Sequence, residues 1–360
     1  MNYKPLKNVK ILLAVLFTVS LIFSCGGGED ENTDGDTGPE QVAGEMFLGG
    51  DDTNYKVPHL FLRDSDTYIT YRNEDGIYFK NLNINDQTKS MSLEGSAAPA
   101  YAVNQYAISN NYFVWNAGTQ NTYRYQWATA TTQLAKTDAL APGFCITKDY
   151  LDQDILASAH RGGYLYTIKL SKFSDDTEIS NRSTLFDPEN NGEQIQVQSF
   201  ACSGSYGYVG GANGKLYSVN LRDNSPTLQG PITTGDSFSL LQVSGPIVVW
   251  VDAEGDIKKY DTSTPNTAPV VAVDVQYFQA TSNIQDMRIF DNVVIWSDDS
   301  DGNYNIWGAN LTAMKNVNDY VQITKEAGNE RYPFVFQGQL YWEDDRNGFA
   351  EIFHGALPAF

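Results

Sequence analysis

The sequence of 360 residues contains few of the residues from which enzyme sites are commonly built. It has three histidines and three cysteines, and its 24 lysines and arginines are outnumbered by 44 aspartates and glutamates. His59, His160 and His354 lie in no motif such as G-x-S-x-G or H-E-x-x-H, and the sequence has no Gly-rich phosphate loop. The formal net charge of −20 argues against nucleic-acid binding, because such binding needs clusters of lysine and arginine.

The sequence also lacks long segments with the apolar period of an α-helix. Aromatic and branched residues instead alternate with polar ones in short runs that end at glycine, aspartate or asparagine. This alternation is typical of β-strands joined by tight turns. The sequence therefore predicts an all-β protein.

The first 25 residues have the three-part layout of an export signal. Three lysines at positions 4, 7 and 10 precede an apolar run over 11–23, which is shorter than the roughly twenty residues that cross a bilayer. The run ends at Ile22-Phe23-Ser24-Cys25, which resembles the lipobox of bacterial lipoproteins. This resemblance implies cleavage before Cys25 and a lipid on its sulfur. Phe23 is larger than the residue usual there, and an ordinary secretory signal is the alternative.

Residues 26–44 contain glycines and carboxylates and no basic residue. Such a stretch buries too little apolar surface to offset the entropy of ordering, so it predicts a flexible acidic tether. We expect a signal peptide over 1–24, a tether over 25–44 and a folded domain over 45–360. The lipid would hold the domain on the membrane of the cell envelope. Gly26, which follows the cysteine, resembles the pattern of outer-membrane sorting. The domain is then expected on either the periplasmic or the surface side of that membrane.

A unit of strand, Gly-containing turn and strand recurs through residues 45–360. Its seven copies have turns at Gly76, Gly118, Gly162, Gly214, Gly255, Gly302 and Gly348. The mean step is about 45 residues, close to the roughly 40 to 45 of a propeller blade. The spacing predicts a β-propeller of about seven four-stranded blades, six or eight being alternatives. A strand within residues 45–62 would complete the last blade and close the ring. A pair of β-sandwiches is the other fold considered.

Two of the copies resemble known families. The segment Trp342–Phe353 resembles the W-x-D-x-R-x-G-x-x-[DE]-I-[YF] repeat of TolB-type propellers, and Arg331–Pro333 matches the R-x-P motif before it. In the copy at 296–307, Asp301 replaces the usual arginine. The copy at 209–221 is similar to repeats of pyrroloquinoline-quinone-type propellers. Both resemblances imply a propeller fold and no specific function, because propellers serve binding, scaffolding and catalysis alike.

Four of the predicted turns carry carboxylates, and closure of the ring would make their blades contiguous. These residues form a candidate acidic arc for a basic partner or a cation: Glu74, Asp75, Asp252, Glu254, Asp256, Asp298, Asp299, Asp301, Glu343, Asp344 and Asp345. Tight turns also favour Asp, Asn and Gly for purely structural reasons. Within the arc, Asp299, Asp301 and Asn303 are a candidate calcium site, because alternating oxygen ligands can point at one ion.

Cys145 and Cys202 remain once Cys25 is assigned to the lipid. They lie in similar local settings, each leading into a repeat. An even pair in an oxidising compartment is a candidate disulfide, and two buried thiols are the alternative.

Two functions of different classes are compatible with the sequence. The first is a non-catalytic envelope lipoprotein that binds a protein or polysaccharide on one face of the propeller, with no cofactor beyond the candidate calcium ion. The alternative is an enzyme that cleaves glycans or peptides with Asp298, Asp301 and Asp344 as acid and base. Glycoside hydrolysis of this kind needs two carboxyls roughly 5 to 9 Å apart. The absence of catalytic motifs favours the first function.

Overall fold

The computed structural model describes residues 44–49, 56–63, 65–73, 76–84, 89–90, 106–117, 121–136, 143–148, 153–162, 165–173, 183–185, 187–188, 194–223, 227–264, 267–274, 283–300, 302–313, 316 and 319–360. The chain separates into two units, 1–37 and 38–360, and every described residue belongs to the second. The predicted signal peptide, Cys25 and all of the tether except Gly44 lie outside the described residues. Among the described residues, no helix is long and apolar enough to cross a membrane.

The described residues form strands that pair in seven four-stranded antiparallel sheets. In chain order the strands are β1 (Glu45–Leu48), β2 (Lys56–Arg63), β3 (Asp66–Arg72), β4 (Ile77–Asn81), β5 (Lys89–Ser90), β6 (Tyr106–Ile108), β7 (Tyr112–Ala117), β8 (Asn121–Gln126), β9 (Thr131–Lys136), β10 (Gly143–Lys148), β11 (Asp154–Gly162), β12 (Leu165–Lys172), β13 (Ser183–Thr184), β14 (Val197–Ser203), β15 (Tyr206–Gly211), β16 (Lys215–Asn220), β17 (Leu228–Thr234), β18 (Ser239–Ser244), β19 (Ile247–Val251), β20 (Ile257–Asp261), β21 (Val270–Val273), β22 (Asp286–Phe290), β23 (Val293–Asp298), β24 (Asn305–Asn310), β25 (Val321–Gln322), β26 (Glu330–Phe336), β27 (Gln339–Asp344) and β28 (Glu351–Ala356).

Each sheet is one blade of a β-propeller. Blades 1 to 6 are the consecutive groups β2–β5, β6–β9, β10–β13, β14–β17, β18–β21 and β22–β25, and blade 7 contains β26, β27, β28 and β1. The first strands of neighbouring blades contact one another from β6 through β26, and β26 contacts β2. The first strands therefore surround the central axis. The prediction of an all-β propeller with seven blades is confirmed, and the sandwich, six-blade and eight-blade alternatives are wrong.

The ring is closed by a strand from the start of the domain. β1 pairs with β28 in an antiparallel register that sets Glu45 opposite His354 and Met46 opposite Phe353. Only Glu45–Leu48 completes blade 7, whereas Lys56–Arg63 is the first strand of blade 1. The prediction that a strand within residues 45–62 closes the ring is confirmed. The sequence did not show that this strand ends at Leu48, because the alternation of apolar and polar residues continues in β2.

The hydrophobic core lies between adjacent blades. Trp115, Trp250, Trp296 and Trp342 lie on the second strands of four blades, and each is almost wholly buried. Trp296 packs in a cluster with residues of blade 5, and Trp342 packs in one with residues of blade 6. A large buried side chain of this kind contributes roughly 1.5 to 3 kcal/mol or more through apolar area alone. A tryptophan on the second strand thus joins blade 6 to blade 5 and blade 7 to blade 6.

One covalent link also joins two blades. Cys145 on β10 and Cys202 on β14 form a disulfide, with their Cα atoms 6.1 Å apart. β10 and β14 are the first strands of blades 3 and 4, and these strands are in contact. The two candidate cysteines, 57 residues apart in sequence, are therefore neighbours because their blades are neighbours.

Candidate functional site

The Gly-containing turns of the repeat join the second strand of each blade to the third. The turns that the structure describes lie at one face of the ring, which we call the Gly-turn face. Gly255, Gly302 and Gly348 have φ angles of 92°, 92° and 90°, a backbone conformation that strongly favours glycine. The glycine repeat in the sequence therefore has a local conformational cause.

Three of the predicted acidic residues shape these turns from the inside. Asp252, Asp298 and Asp344 each follow the buried tryptophan of their blade by two positions, and all three are buried. In each, Oδ1 accepts a hydrogen bond from a backbone amide of its own turn. The donors are the amides of Glu254 at 3.0 Å, Ser300 at 2.8 Å and Arg346 at 2.8 Å. These carboxylates cap turns, and turn capping accounts for their presence at this position.

Basic side chains neutralise two of the three. Lys258 Nζ lies 3.1 Å from Oδ2 of Asp252 and 3.1 Å from Oδ2 of Asp236. Arg346 binds Asp344 through its side chain, with Nε 2.8 Å from Oδ2. The turn carboxylates therefore do not present a continuous negative surface.

The other residues of the predicted arc are spread across the Gly-turn face. Glu254 is exposed, Asp256 is half-buried, and Asp299 accepts a hydrogen bond from the amide of Asn283 at 3.1 Å. Asp345 accepts hydrogen bonds from the backbone and side chain of Asn329 at 2.6 and 2.9 Å. Three predicted residues lie outside the described residues: Glu74, Asp75 and Asp301.

The candidate calcium site cannot be assembled from the residues that the structure describes, since Asp301 is not among them. Of its other members, Asp299 binds the amide of Asn283, and Asn303 Nδ2 donates to the carbonyl of Ala327 at 3.2 Å. Within the described part of the chain, no group of three or more His, Cys, Asp or Glu side chains is arranged to hold a metal ion. Calcium binding stays a sequence-based prediction.

A cluster of ionisable residues lies at the centre of the Gly-turn face, where the first strands begin. We call it the channel-mouth cluster, and it combines residues of blades 1, 6 and 7: Lys56, Arg72, Asp286, Arg288, Arg331, Tyr332 and Glu343. The register places Lys56 opposite Arg72 and Arg331 opposite Glu343. Closure of the ring brings these three blades together around the axis.

Glu343 is the most buried acid of this cluster. Its side chain accepts a hydrogen bond from the amide of Val57 at 3.3 Å, so it links blade 7 to blade 1. Burial raises the pKa of Glu343 to about 7, although the charges of Lys56, Arg72 and Arg331 oppose the shift. Glu343 therefore changes its charge near neutral pH.

Asp286 is the second acid of the cluster, and Arg288 is its main cationic neighbour. Burial raises the pKa of Asp286, while the charge of Arg288 and a hydrogen bond from the amide of Tyr332 oppose that rise. The guanidinium of Arg331 lies 4.4 Å from the ring centroid of Tyr304. An aromatic ring thus packs against one of the cations of the cluster.

An aromatic layer lies beside the cluster in the channel. The imidazole of His59 is 4.4 Å from the ring of Tyr106 and 4.2 Å from that of Phe334, measured between centroids. Burial, with a smaller contribution from the charge of Arg288, lowers the pKa of His59 to about 3. His59 is therefore neutral at physiological pH and does not serve as a cationic acid.

The channel-mouth cluster was not predicted from the sequence. Its members are scattered from Lys56 to Glu343 and differ in residue type. Arg72 and Glu343 hold the same position of the repeat, one residue after the aromatic of the second strand, but one is basic and the other acidic. The one available signal was the R-x-P motif at Arg331–Pro333, which marks the start of β26. That motif identifies a strand, and only the closed ring shows which residues of other blades face it.

Glu330, next to the cluster, gives a prediction for stability against pH. Its side chain is fully buried, accepts hydrogen bonds from Thr324 Oγ1 and the amide of Glu326, and has a pKa that burial raises to about 7 from 4.5. Between pH 4.5 and about 7, Glu330 is therefore protonated in the folded protein and ionised in the unfolded chain. Stability is expected to fall as pH rises from 4.5 to 7, by about 3 kcal/mol from this group. The Glu330→Gln variant should lose that contribution.

The measurement is urea unfolding of wild type and E330Q at pH 5, 6, 7 and 8. The stability of E330Q relative to wild type should increase with rising pH. A smaller fall of stability with pH should remain in E330Q, because burial also raises the pKa of Glu343. Glu254→Gln is the matched control, because Glu254 is exposed. Parallel curves for wild type and E330Q would contradict the raised pKa.

Comparisons with known proteins support the fold alone. No family model matches this sequence, and no curated protein is similar to it in sequence. A solved oligogalacturonate lyase in complex with manganese aligns at a TM-score of 0.55 and 10% identity, over 89% of this chain and 98% of that one. A prolyl endopeptidase structure aligns at a TM-score of 0.58 and 12% identity, over 85% of this chain and 47% of that one. A structure of BBS1N in complex with ARL6DN aligns at a TM-score of 0.56 and 12% identity, over 88% of this chain and 98% of that one. These neighbours include enzymes and a protein complex, so the likeness assigns no activity.

Proposed function

We propose that this chain is a non-catalytic, lipid-anchored protein of the cell envelope whose propeller binds an envelope protein or polysaccharide on the Gly-turn face. The channel-mouth cluster is the observation that carries this proposal. Moving charged groups out of water is costly, and a fold gains little stability from a buried ion pair compared with apolar packing. A central cluster of ionisable groups with shifted pKa values is instead typical of a binding site.

The charges of the cluster indicate what the partner presents. Lys56, Arg72, Arg288 and Arg331 outnumber Asp286 and Glu343 within a chain whose net charge is −20. An anionic group of the partner, such as a carboxylate, complements this excess of positive charge. Charge complementarity of this kind sets the orientation and the rate of binding. We therefore propose an acidic partner group at this cluster, and a basic partner at the acidic turns stays a sequence-based prediction.

The positions of the turn carboxylates support binding over catalysis. Asp298 and Asp344 belong to different blades, and each accepts a hydrogen bond from a backbone amide of its own turn. An acid–base pair would need both carboxyls to face one substrate. The described residues of the alternative enzyme site are thus engaged in turn structure.

Crosslinking in the cells that express the protein tests the proposal. We expect a defined crosslinked product with wild type, and about a tenfold smaller yield with Arg288→Met/Arg331→Met, because the partner's anionic group loses its counter-charges. Arg222→Met is the matched control, since Arg222 follows β16 at the opposite face. A Cys25→Ala variant should also leave the membrane fraction and lose labelling by a palmitate analogue.

Two results would contradict the proposal. The first is an equal crosslinking yield for R288M/R331M and R222M when both have the unfolding midpoint of wild type. The second is glycan or peptide cleavage by purified protein that Asp298→Asn or Asp344→Asn abolishes, which would favour the enzyme. Persistent membrane binding and labelling of C25A would separately overturn the lipid anchor.

A further inference from the structure

A cavity of about 390 Å³ opens on the face opposite the Gly-turn face. Its walls come from three blades. Arg63 ends the first strand of blade 1, Tyr112 and Trp127 belong to blade 2, and Lys148 and Lys172 end strands of blade 3. The volume falls in the range of sites for small ligands. This cavity is on the other side of the ring from the channel-mouth cluster, so an inference about it stands apart from the proposed function.

The cavity is positively charged in a strongly acidic chain. Three cations, Arg63, Lys148 and Lys172, line the cavity together with one carboxylate, Asp154. The Asp154 side chain is 3% exposed, and its Oδ1 lies 2.6 Å from Lys148 Nζ. The net excess of two positive charges contrasts with the net charge of −20 for the whole chain. A local excess of this sign attracts an anionic ligand.

Asp154 holds two residues of the cavity wall in position. Its Oδ2 accepts hydrogen bonds from Ser109 Oγ at 2.7 Å and Asn111 Nδ2 at 2.9 Å. Burial alone would raise the pKa of Asp154, but the hydrogen bonds from Lys148, Ser109 and Asn111 hold it below its ordinary value. The carboxylate therefore stays charged, and it fixes Lys148 and Asn111 before any ligand arrives. Such preorganisation lowers the entropic cost of binding.

The remaining walls are aromatic and amide-rich. Tyr112 stacks on Phe173 with ring centroids 4.2 Å apart and an interplanar angle of 18°. Trp127 is anchored by a 3.3 Å hydrogen bond from Nε1 to the carbonyl of Ser109, and the guanidinium of Arg63 lies 5.6 Å from its ring centroid. Aromatic side chains combine apolar faces with fixed geometry. Amides, such as that of Gln126, both donate and accept hydrogen bonds, as hydroxyl groups require.

We propose that this cavity binds an acidic saccharide, with the carboxylate of a uronic acid held by the cations and the pyranose ring against Tyr112. Tyr112 is the partly exposed aromatic residue of this wall, whereas Trp127 and Phe173 are buried and support it from the core. Arginine suits this role because its guanidinium matches a carboxylate with two parallel hydrogen bonds. A bare inorganic anion would use the cations and leave the aromatic and amide walls without a contact. The combination of all three types of side chain in one cavity is what selects a saccharide.

Isothermal titration of the full chain with digalacturonate tests this site. We expect digalacturonate to bind, and galactobiose, its neutral counterpart, to bind at least about tenfold more weakly, because it lacks the carboxylates. Lys172→Met and Arg63→Met should each weaken digalacturonate binding by about tenfold. Lys172→Arg should keep the affinity, and Arg222→Met, which removes a positive charge on another blade, should leave it unchanged.

Three results would overturn this proposal. Equal binding of galactobiose and digalacturonate would show that the cations do not recognise the ligand. Displacement of digalacturonate by an equal concentration of inorganic phosphate would make the cavity a general anion site. Unchanged affinity in K172M would place the binding elsewhere, and K172M suits this purpose because Lys172 ends a strand at the surface and its loss should not unfold the protein. The near-ultraviolet circular dichroism of each variant verifies its fold.

Discussion

The Asp344→Ala variant is expected to be less stable than wild type by about 3 kcal/mol. Asp344 is fully buried, and its carboxylate accepts hydrogen bonds from Arg346 N and Nε, each at 2.8 Å, and from Trp342 Nε1 at 3.3 Å. Removing one partner of a buried pair costs about 3 to 5 kcal/mol, because the other charge loses its compensation. The low end applies here, since Arg346 Nη1 also lies 3.6 Å from the carboxylate of Glu326.

Urea unfolding followed by tryptophan fluorescence measures this loss. Glu254→Ala is the matched control in the turn of blade 5, because Glu254 is exposed and should change stability by less than about 0.5 kcal/mol. Asp344→Asn should fall between D344A and wild type, since it keeps an acceptor for the amide of Arg346 and loses the charge. A D344A midpoint equal to that of E254A would show that this carboxylate does not support its turn.

Removal of the disulfide is expected to cost about 4 kcal/mol. Cys145 and Cys202 are 57 residues apart, and the chain-entropy model assigns about 4 kcal/mol to a crosslink across a loop of that length. The bond joins the first strands of blades 3 and 4, which lie next to the axis. The double variant Cys145→Ala/Cys202→Ala should therefore unfold at a much lower denaturant concentration than wild type.

Reduction separates the crosslink from the effect of the two substitutions. Wild type treated with dithiothreitol should approach the stability of the double variant, while the double variant itself should not respond to the reductant. Cys25→Ala serves as a further control, because Cys25 takes no part in the bond. Equal stability of oxidised wild type and the double variant would show that the crosslink adds nothing to the fold.

The periodicity of the sequence was sufficient to predict the blades. The second strands place a tryptophan or another large apolar residue between blades, and the turns at Gly214, Gly255, Gly302 and Gly348 need a residue with positive φ. Both requirements are local, so they recur at a fixed spacing and are visible in one sequence. The end of the closing strand at Leu48 was not visible, because strand alternation continues from one sheet to the next.

The role of the turn carboxylates was the part that the sequence left open. Aspartates that cap a turn and aspartates that face a partner are the same type of residue and occur at the same spacing in the repeat. Asp252 and Asp344 point into their turns because they follow the alternation of a buried strand. Glu254, two residues beyond Asp252, points to solvent. Only the three-dimensional arrangement separates the two classes.

Repeat spacing, turn residues and apolar alternation by themselves determined that this chain is a propeller of about seven blades, since each of these signals arises within a single repeat. The tertiary structure alone decided where charge is concentrated. Lys56 and Arg72 are far from Glu343 in sequence and meet it because the ring closes, and the cavity proposed for an acidic saccharide forms where Arg63, Tyr112 and Lys172 of three blades converge. Contacts between blades depend on closure and on the register of each sheet, and neither leaves a periodic trace in the sequence.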